Sequence, residues 1–118
     1  MPVTHSYKPA GNTIGLSVAN SSHAAVLIEA QAPEANALLF VNTSTSDVMY
    51  VEHKGAEPGA TSPTAPAATV PTDGAAGSFP VLSYNERVIY GVKFPCSVTA
   101  ISSIAGPTLL TVTPVVAV

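Results

Sequence analysis

Alternation of apolar and polar positions dominates the chain from Thr13 onward. Ile14, Leu16 and Val18 alternate with Gly15, Ser17 and Ala19, the period-two pattern of a strand buried on one face. A second run, 22–30, sets Val26 and Ile28 against Ala25, Leu27 and Glu29. Leu38-Leu39-Phe40-Val41 and Val48-Met49-Tyr50-Val51 then flank a polar cluster of Asn42, Thr43, Ser44, Thr45, Ser46 and Asp47. Apolar runs on either side of short Asx and hydroxyl side chains predict an antiparallel hairpin, with strands at 36–42 and 47–53. Leu38 to Val41 leave no polar face, so that strand is expected inside the core. Downstream, 79–83 reads as a short strand that Pro80 places at a sheet edge or strand start. Residues 87–94 alternate, with Val88, Tyr90, Val92 and Phe94 expected to face the core and Arg87, Ile89, Gly91 and Lys93 opposite. Strands at 97–103 and 108–113, joined by an Ala105-Gly106-Pro107 turn, close the pattern.

No convincing helix interrupts this series. The Ala-rich stretch 30–39 carries Pro33 in its middle, and a helix interior tolerates proline poorly, so 31–35 is read as a connection, with a single helical turn beginning near Pro33 as the alternative. About eight strands with closely spaced turn signals predict an all-β fold, a single-domain, jelly-roll-like β-sandwich over residues 13–118. Three segments stand outside the alternation. Residues 1–12, with Pro2, Pro9 and Gly11, read as an extended arm. Residues 54–78 form a long Pro/Ala/Gly-rich insertion with Pro58, Pro63, Pro66 and Pro71, whose spacing excludes helix and central strand. It is expected either as a mobile excursion or as an extended segment ordered against a neighbouring subunit, with mobility favoured by composition. Pro114-Val115-Val116-Ala117-Val118 is an apolar tail that a monomer would hardly leave in water.

Charge sharpens the picture. Charged residues make up 9% of the 118 positions, against about 25% in ordinary soluble domains. Either a Ser/Thr-rich surface or a surface largely covered by partners accounts for this, because interface cores are depleted of charge. The net charge is −3, and the four cations Lys8, Lys54, Arg87 and Lys93 are scattered. They form no basic footprint for nucleic acid. No apolar run approaches the ~20 residues of a membrane-spanning helix, and the amino terminus lacks a signal-peptide core. A soluble protein made in a cytoplasm, with no membrane partner, is the expectation.

Candidate chemistry is sparse. Cys96 is the only cysteine, so no intrachain disulfide forms. Following Pro95 at a strand start, it reads as a small buried hydrophobe rather than a nucleophile paired with His5, His23 or His53. Glu52 and His53 are adjacent and on a strand point to opposite faces, so they do not share a metal. The carboxylates Glu29, Glu34, Asp47, Glu52, Glu57, Asp73 and Glu86 fall at strand ends or in loops, where solvation explains them. No glycine-rich loop leads into a helix to hold phosphate. Asn20-Ser21-Ser22 and Asn42-Thr43-Ser44 match the glycosylation pattern, but read as turn residues in a chain without a signal peptide. A sugar-stacking platform is not expected: there is no Trp, and Tyr50 and Tyr90 lie within strands. No catalytic, cofactor-binding or metal residue is assigned, and no enzyme activity or cofactor is expected.

Three features carry a family likeness. They are the strand–turn–strand Phe40-Val41-Asn42-Thr43-Ser44-Thr45-Ser46-Asp47-Val48-Met49-Tyr50-Val51, the Ala/Pro/Thr/Gly insertion leading into Phe79-Pro80-Val81-Leu82, and the close Thr99-Ala100-Ile101-Ser102-Ser103-Ile104-Ala105-Gly106-Pro107-Thr108-Leu109-Leu110-Thr111-Val112-Thr113. In these the chain resembles the small all-β virion proteins of tailed bacteriophages, the capsid decoration (cement) proteins and related accessory structural proteins. The resemblance implies a non-enzymatic virion protein, made in the host bacterial cytoplasm, that binds the major capsid protein or another virion protein as a homo-oligomer. It implies no catalytic residues. A neck, tail or fibre position is the alternative within that class, and a host-surface or carbohydrate-binding β-sandwich module is the rival outside it.

Overall fold

The computed structural model describes residues 7–58, 62–104 and 106–117. Its nine strands are β1 (Tyr7–Pro9), β2 (Ile14–Val18), β3 (Val26–Ile28), β4 (Ala37–Asn42), β5 (Met49–Gly55), β6 (Phe79–Val81), β7 (Glu86–Tyr90), β8 (Cys96–Ser102) and β9 (Thr108–Ala117). They form two antiparallel sheets. One runs β1–β9–β4–β7, with β2 also on β9; the other runs β3–β8–β5–β6. No helix occurs among the described residues, so the fold is an all-β sandwich, as the alternation predicts. Its core lies between the sheets, where Leu16, Val18, Leu38, Phe40, Leu110 and Val112 meet Ile28, Met49, Val51, Val81, Val98 and Ala100.

The pairing follows one rule. β2 pairs with β9, β3 with β8, β4 with β7 and β5 with β6. The first half of the chain thus runs antiparallel to the second as a two-stranded ribbon, whose successive rungs alternate between sheets until β5–β6. Rolling this ribbon brings β4 beside β9 and β5 beside β8, which completes both sheets.

That arrangement corrects the expected central hairpin. β4 lies between β9 and β7, and β5 lies between β8 and β6, in the opposite sheet. Residues 43–48 therefore arch across the sandwich instead of turning back within one sheet. The physical reason lies in Asn42, a buried residue at the end of β4. Its Nδ2 donates to Asp47 O at 2.8 Å and to Val81 O at 3.1 Å, and its Oδ1 accepts from the Ser44 N–H at 2.9 Å. Ser44 Oγ accepts in turn from the Asp47 N–H at 2.9 Å. The cluster satisfies the backbone of an arch with its own side chains.

β7 also differs from expectation. Ile89 packs against the core and Tyr90 is 56% exposed, so the inner face carries Arg87 and Ile89 instead of Val88 and Tyr90. Val92 is nevertheless buried in the core. Gly91, at φ 73°, resolves the contradiction: a left-handed residue breaks the two-residue period and returns Val92 to the inside.

The last strand extends past the expected end at Thr113 and absorbs the apolar tail through Ala117. Proline in a strand interior removes a ladder donor, and Pro114 sits mid-strand, opposite Leu38. Its carbonyl accepts from the Ala10 N–H at 2.8 Å, so its missing donor points to the same side. There the neighbouring chain is interrupted between β1 and β2. The ring also sets the sequence at Gly11, where an added Cβ would lie 2.5 Å from Pro114 Cγ. Within the segment expected as an arm, β1 is thus docked on β9. Tyr7 reaches on to β7, its hydroxyl donating to Glu86 Oε2 at 3.4 Å.

The described part of the Pro-rich insertion is ordered against the chain's own sheet, which neither expectation for it foresaw. The Ala65 N–H donates to Ser97 Oγ at 2.9 Å, Thr99 Oγ1 donates to Pro66 O at 2.6 Å, and the Ala68 N–H donates to Ser22 Oγ at 2.9 Å. The chain then doubles back, with the Ser78 N–H donating to Thr69 O at 2.8 Å. Ser78 Oγ accepts from the Thr69 N–H at 2.9 Å and donates to Glu52 Oε2 at 2.7 Å. Residues 62–71 are a strap over the outer face of β8. Ser97 and Thr99 are consequently buried although they point away from the core.

Candidate functional site

Hydrogen bonds tie the β4–β5 arch, the β6–β7 turn and the β8–β9 connection into one end of the sandwich. The Tyr84 N–H donates to Ser44 O at 2.7 Å, the Asn42 N–H to Asn85 O at 2.9 Å, and Thr43 Oγ1 to Leu109 O at 2.7 Å. The β2–β3 connection joins them through the Ser102 N–H, which donates to Ala19 O at 2.8 Å. These connections span residues 19–25, 43–48, 82–85 and 103–107. Between them they hold one charged residue, Asp47, which is buried. What they expose is apolar or hydroxylic. Leu82 is 52% exposed, Tyr84 76% and Ile104 48%, alongside Ser21, Thr43, Thr45, Ser46 and Ser103.

Tyr84 is the most unusual of these. Its φ is 52°, a left-handed conformation that costs a bulky L-residue about 1–2 kcal/mol. Glycine or asparagine would take that position without strain. Here the bond to Ser44 O holds the backbone and the ring stands in solvent. In the sequence Tyr84 falls in the short link between the strand at 79–83 and the alternating run 87–94, a turn position. A large aromatic at a tight-turn position was the one signal available.

The long edges of the sandwich are open because β3 and β6 are only three residues each. At the β2–β3 edge lies a cleft of about 730 Å³, lined by Asn12, Leu27, Glu29, Gln31 and Phe94 among others. At the β6–β7 edge a cleft of about 540 Å³ is lined by Val51, Glu52, His53, Phe79, Arg87 and Ile89 among others. In it the Arg87 guanidinium carbon sits 4.7 Å from the centre of the Phe79 ring, within cation–π range.

The residues weighed for chemistry are dispersed. Cys96 is fully buried, and burial pushes its thiol up to about 11, so little thiolate exists at neutral pH. His23 holds its Nδ1 2.8 Å from Ala24 O, His53 is exposed on β5, and His5 lies outside the described residues. No group of three His, Cys, Asp or Glu side chains suited to a metal ion occurs among the described residues. Of the two Asn-x-Ser sites, Asn42 is buried in the arch and Asn20 is exposed. No helix among the described residues is long and apolar enough to cross a membrane. Comparison with protein-family models, curated proteins and solved structures gives no match.

Proposed function

We propose that the chain is a non-enzymatic structural protein of a tailed-phage particle, a decoration or cement protein that binds the outer capsid lattice as a homo-oligomer. In this reading the sandwich is a jelly roll, supported by its ribbon pairing. One observation carries the role: the loop end presents Leu82, Tyr84 and Ile104 without an exposed charge. Burying such a patch against another protein costs no charge desolvation, and aromatic anchors dominate interface energies. Repetition over a lattice multiplies a modest contact through avidity.

The test uses particles that lack the protein. The purified chain should co-sediment with them and decorate the shell in negative stain. Tyr84→Ser should weaken binding about 30-fold, the equivalent of about 2 kcal/mol for an anchoring aromatic. Label confined to one vertex or to the tail would assign the neck, tail or fibre role instead, and no association with particles would end the virion reading. The exposed Tyr84 ring also favours a second reading, a carbohydrate-binding module, since sugars stack on exposed aromatic faces. Binding to host-surface glycan but not to particles, lost in Tyr84→Ser, would select it.

A further inference from the structure

We propose that the cleft at the β6–β7 edge binds aliphatic carboxylates, with Arg87 as the anion receptor. Four observations meet there. Apolar side chains form half of the lining: Val51, Phe79, Val88 and Ile89 stand beside Glu52, His53, Gly77 and Arg87, and the volume of about 540 Å³ suits a small ligand. Arg87 shares the inward parity of Ile89 on β7, so its guanidinium projects toward the mouth between the sheets. The Phe79 ring, 4.7 Å away, orders that side chain while leaving the guanidinium N–H groups available. A planar fork restrained in this way matches a carboxylate in bidentate geometry.

The local acids do not claim it. Among the described residues the ion pair is Lys8 with Glu34, and Arg87 has none. Glu86, its neighbour in sequence, points to the other face and accepts from Tyr7. Glu52 lines the cleft, but its Oε2 accepts from Ser78 Oγ at 2.7 Å. His53 is the other basic group of the lining. A cleft with an apolar side and an arginine that makes no ion pair among the described residues is complementary to a molecule with an aliphatic body and one carboxylate. A fatty acid and the carboxy terminus of an apolar peptide share that chemistry. The site uses different residues from the loop end and does not depend on the virion reading.

The experiment is an amide-shift titration of the full chain with hexanoate and with N-acetyl-leucine, using hexan-1-ol as the uncharged control. Saturable shifts at Val51, His53, Phe79 and Val88 are expected, with millimolar affinity for at least one acid. The tighter of the two identifies the source, lipid or peptide. Hexanol should bind at least about tenfold more weakly, and Arg87→Gln should lose about tenfold or more for either acid, since hydrogen bonds to charged groups contribute at least that much. Arg87 is exposed, so the variant should fold, and its circular dichroism checks this. Arg87→Lys should recover part of the affinity, because it restores the charge but not the fork. No saturable shift for either acid, equal binding of hexanol, or unchanged binding by Arg87→Gln would each overturn the proposal.

Discussion

Truncating Asn42 to alanine tests whether the arch between the sheets is held by one side chain. Asn42 is 1% exposed and makes three side-chain hydrogen bonds, to Asp47 O, Val81 O and the Ser44 N–H. Removing it leaves two carbonyls and one N–H without those partners. Each orphaned group in a buried position costs at least about 1 kcal/mol, so Asn42→Ala should destabilise the fold by about 3 kcal/mol. A domain of this size has only about 5–15 kcal/mol in hand. Urea unfolding followed by circular dichroism would show a lower midpoint with an unchanged slope. Asn42→Asp sharpens the result. The carboxylate keeps an acceptor for Ser44 but turns a second acceptor toward two carbonyl oxygens, so the loss should be at least as large. A loss below about 1 kcal/mol for Asn42→Ala, or wild-type stability for Asn42→Asp, would refute the clamp. The consequence reaches the candidate docking surface, because the same arch positions Ser44 O for the Tyr84 N–H.

Two further substitutions probe the strap and the reversed strand. Ser97→Ala combined with Thr99→Val removes two contacts to the strap and should cost about 2 kcal/mol while speeding proteolysis within 62–71; unchanged proteolysis would show that the strap is held by other contacts. On β7, Ile89→Asp and, beyond Gly91, Val92→Asp should each cost several kcal/mol by placing a carboxylate against the core, whereas Tyr90→Asp, at an exposed position, should cost clearly less, and equal losses at all three positions in urea melts would refute the parity change at Gly91.

Most strands were legible because the sheets are buried on one face and the side-chain period is two. β2 shows this best: Leu16 and Val18 are buried and Gly15 and Ser17 exposed, as the alternation requires. What periodicity does not encode is which run pairs with which. β4 and β5 have the appearance of a hairpin because a short polar cluster joins two apolar runs. The same cluster serves an arch equally well, and only the pairing of β4 with β9 and of β5 with β8 distinguishes the two. At Pro114 and Gly91 a local rule misled in opposite ways. Proline was read as a strand end, yet its missing donor falls at a gap in the neighbouring chain. Glycine was read as one more alternating position, yet its positive φ reverses the face of everything before it.

The candidate sites were hidden for a related reason, and the strap shows why. Low charge was read as a surface covered by partners or rich in hydroxyls. Part of that cover is the chain itself: residues 62–71 lie on the outer face of β8, where Ser97 and Thr99 are buried beneath them. That part of the low charge needs no partner. The loop end differs, because no described segment shields Tyr84, Leu82 or Ile104, and the strained backbone of Tyr84 sets its ring in water. Arg87 and Phe79 lie on consecutive strands of opposite sheets, so their stacking becomes visible only once the ribbon is rolled. An adhesive role therefore rests on the loop end alone. Serine at Leu82, Tyr84 and Ile104 together should abolish particle binding and leave the fold intact, while serine at Leu27, exposed on β3, should change neither; equal loss from both would mean that adhesion is a property of general surface apolarity.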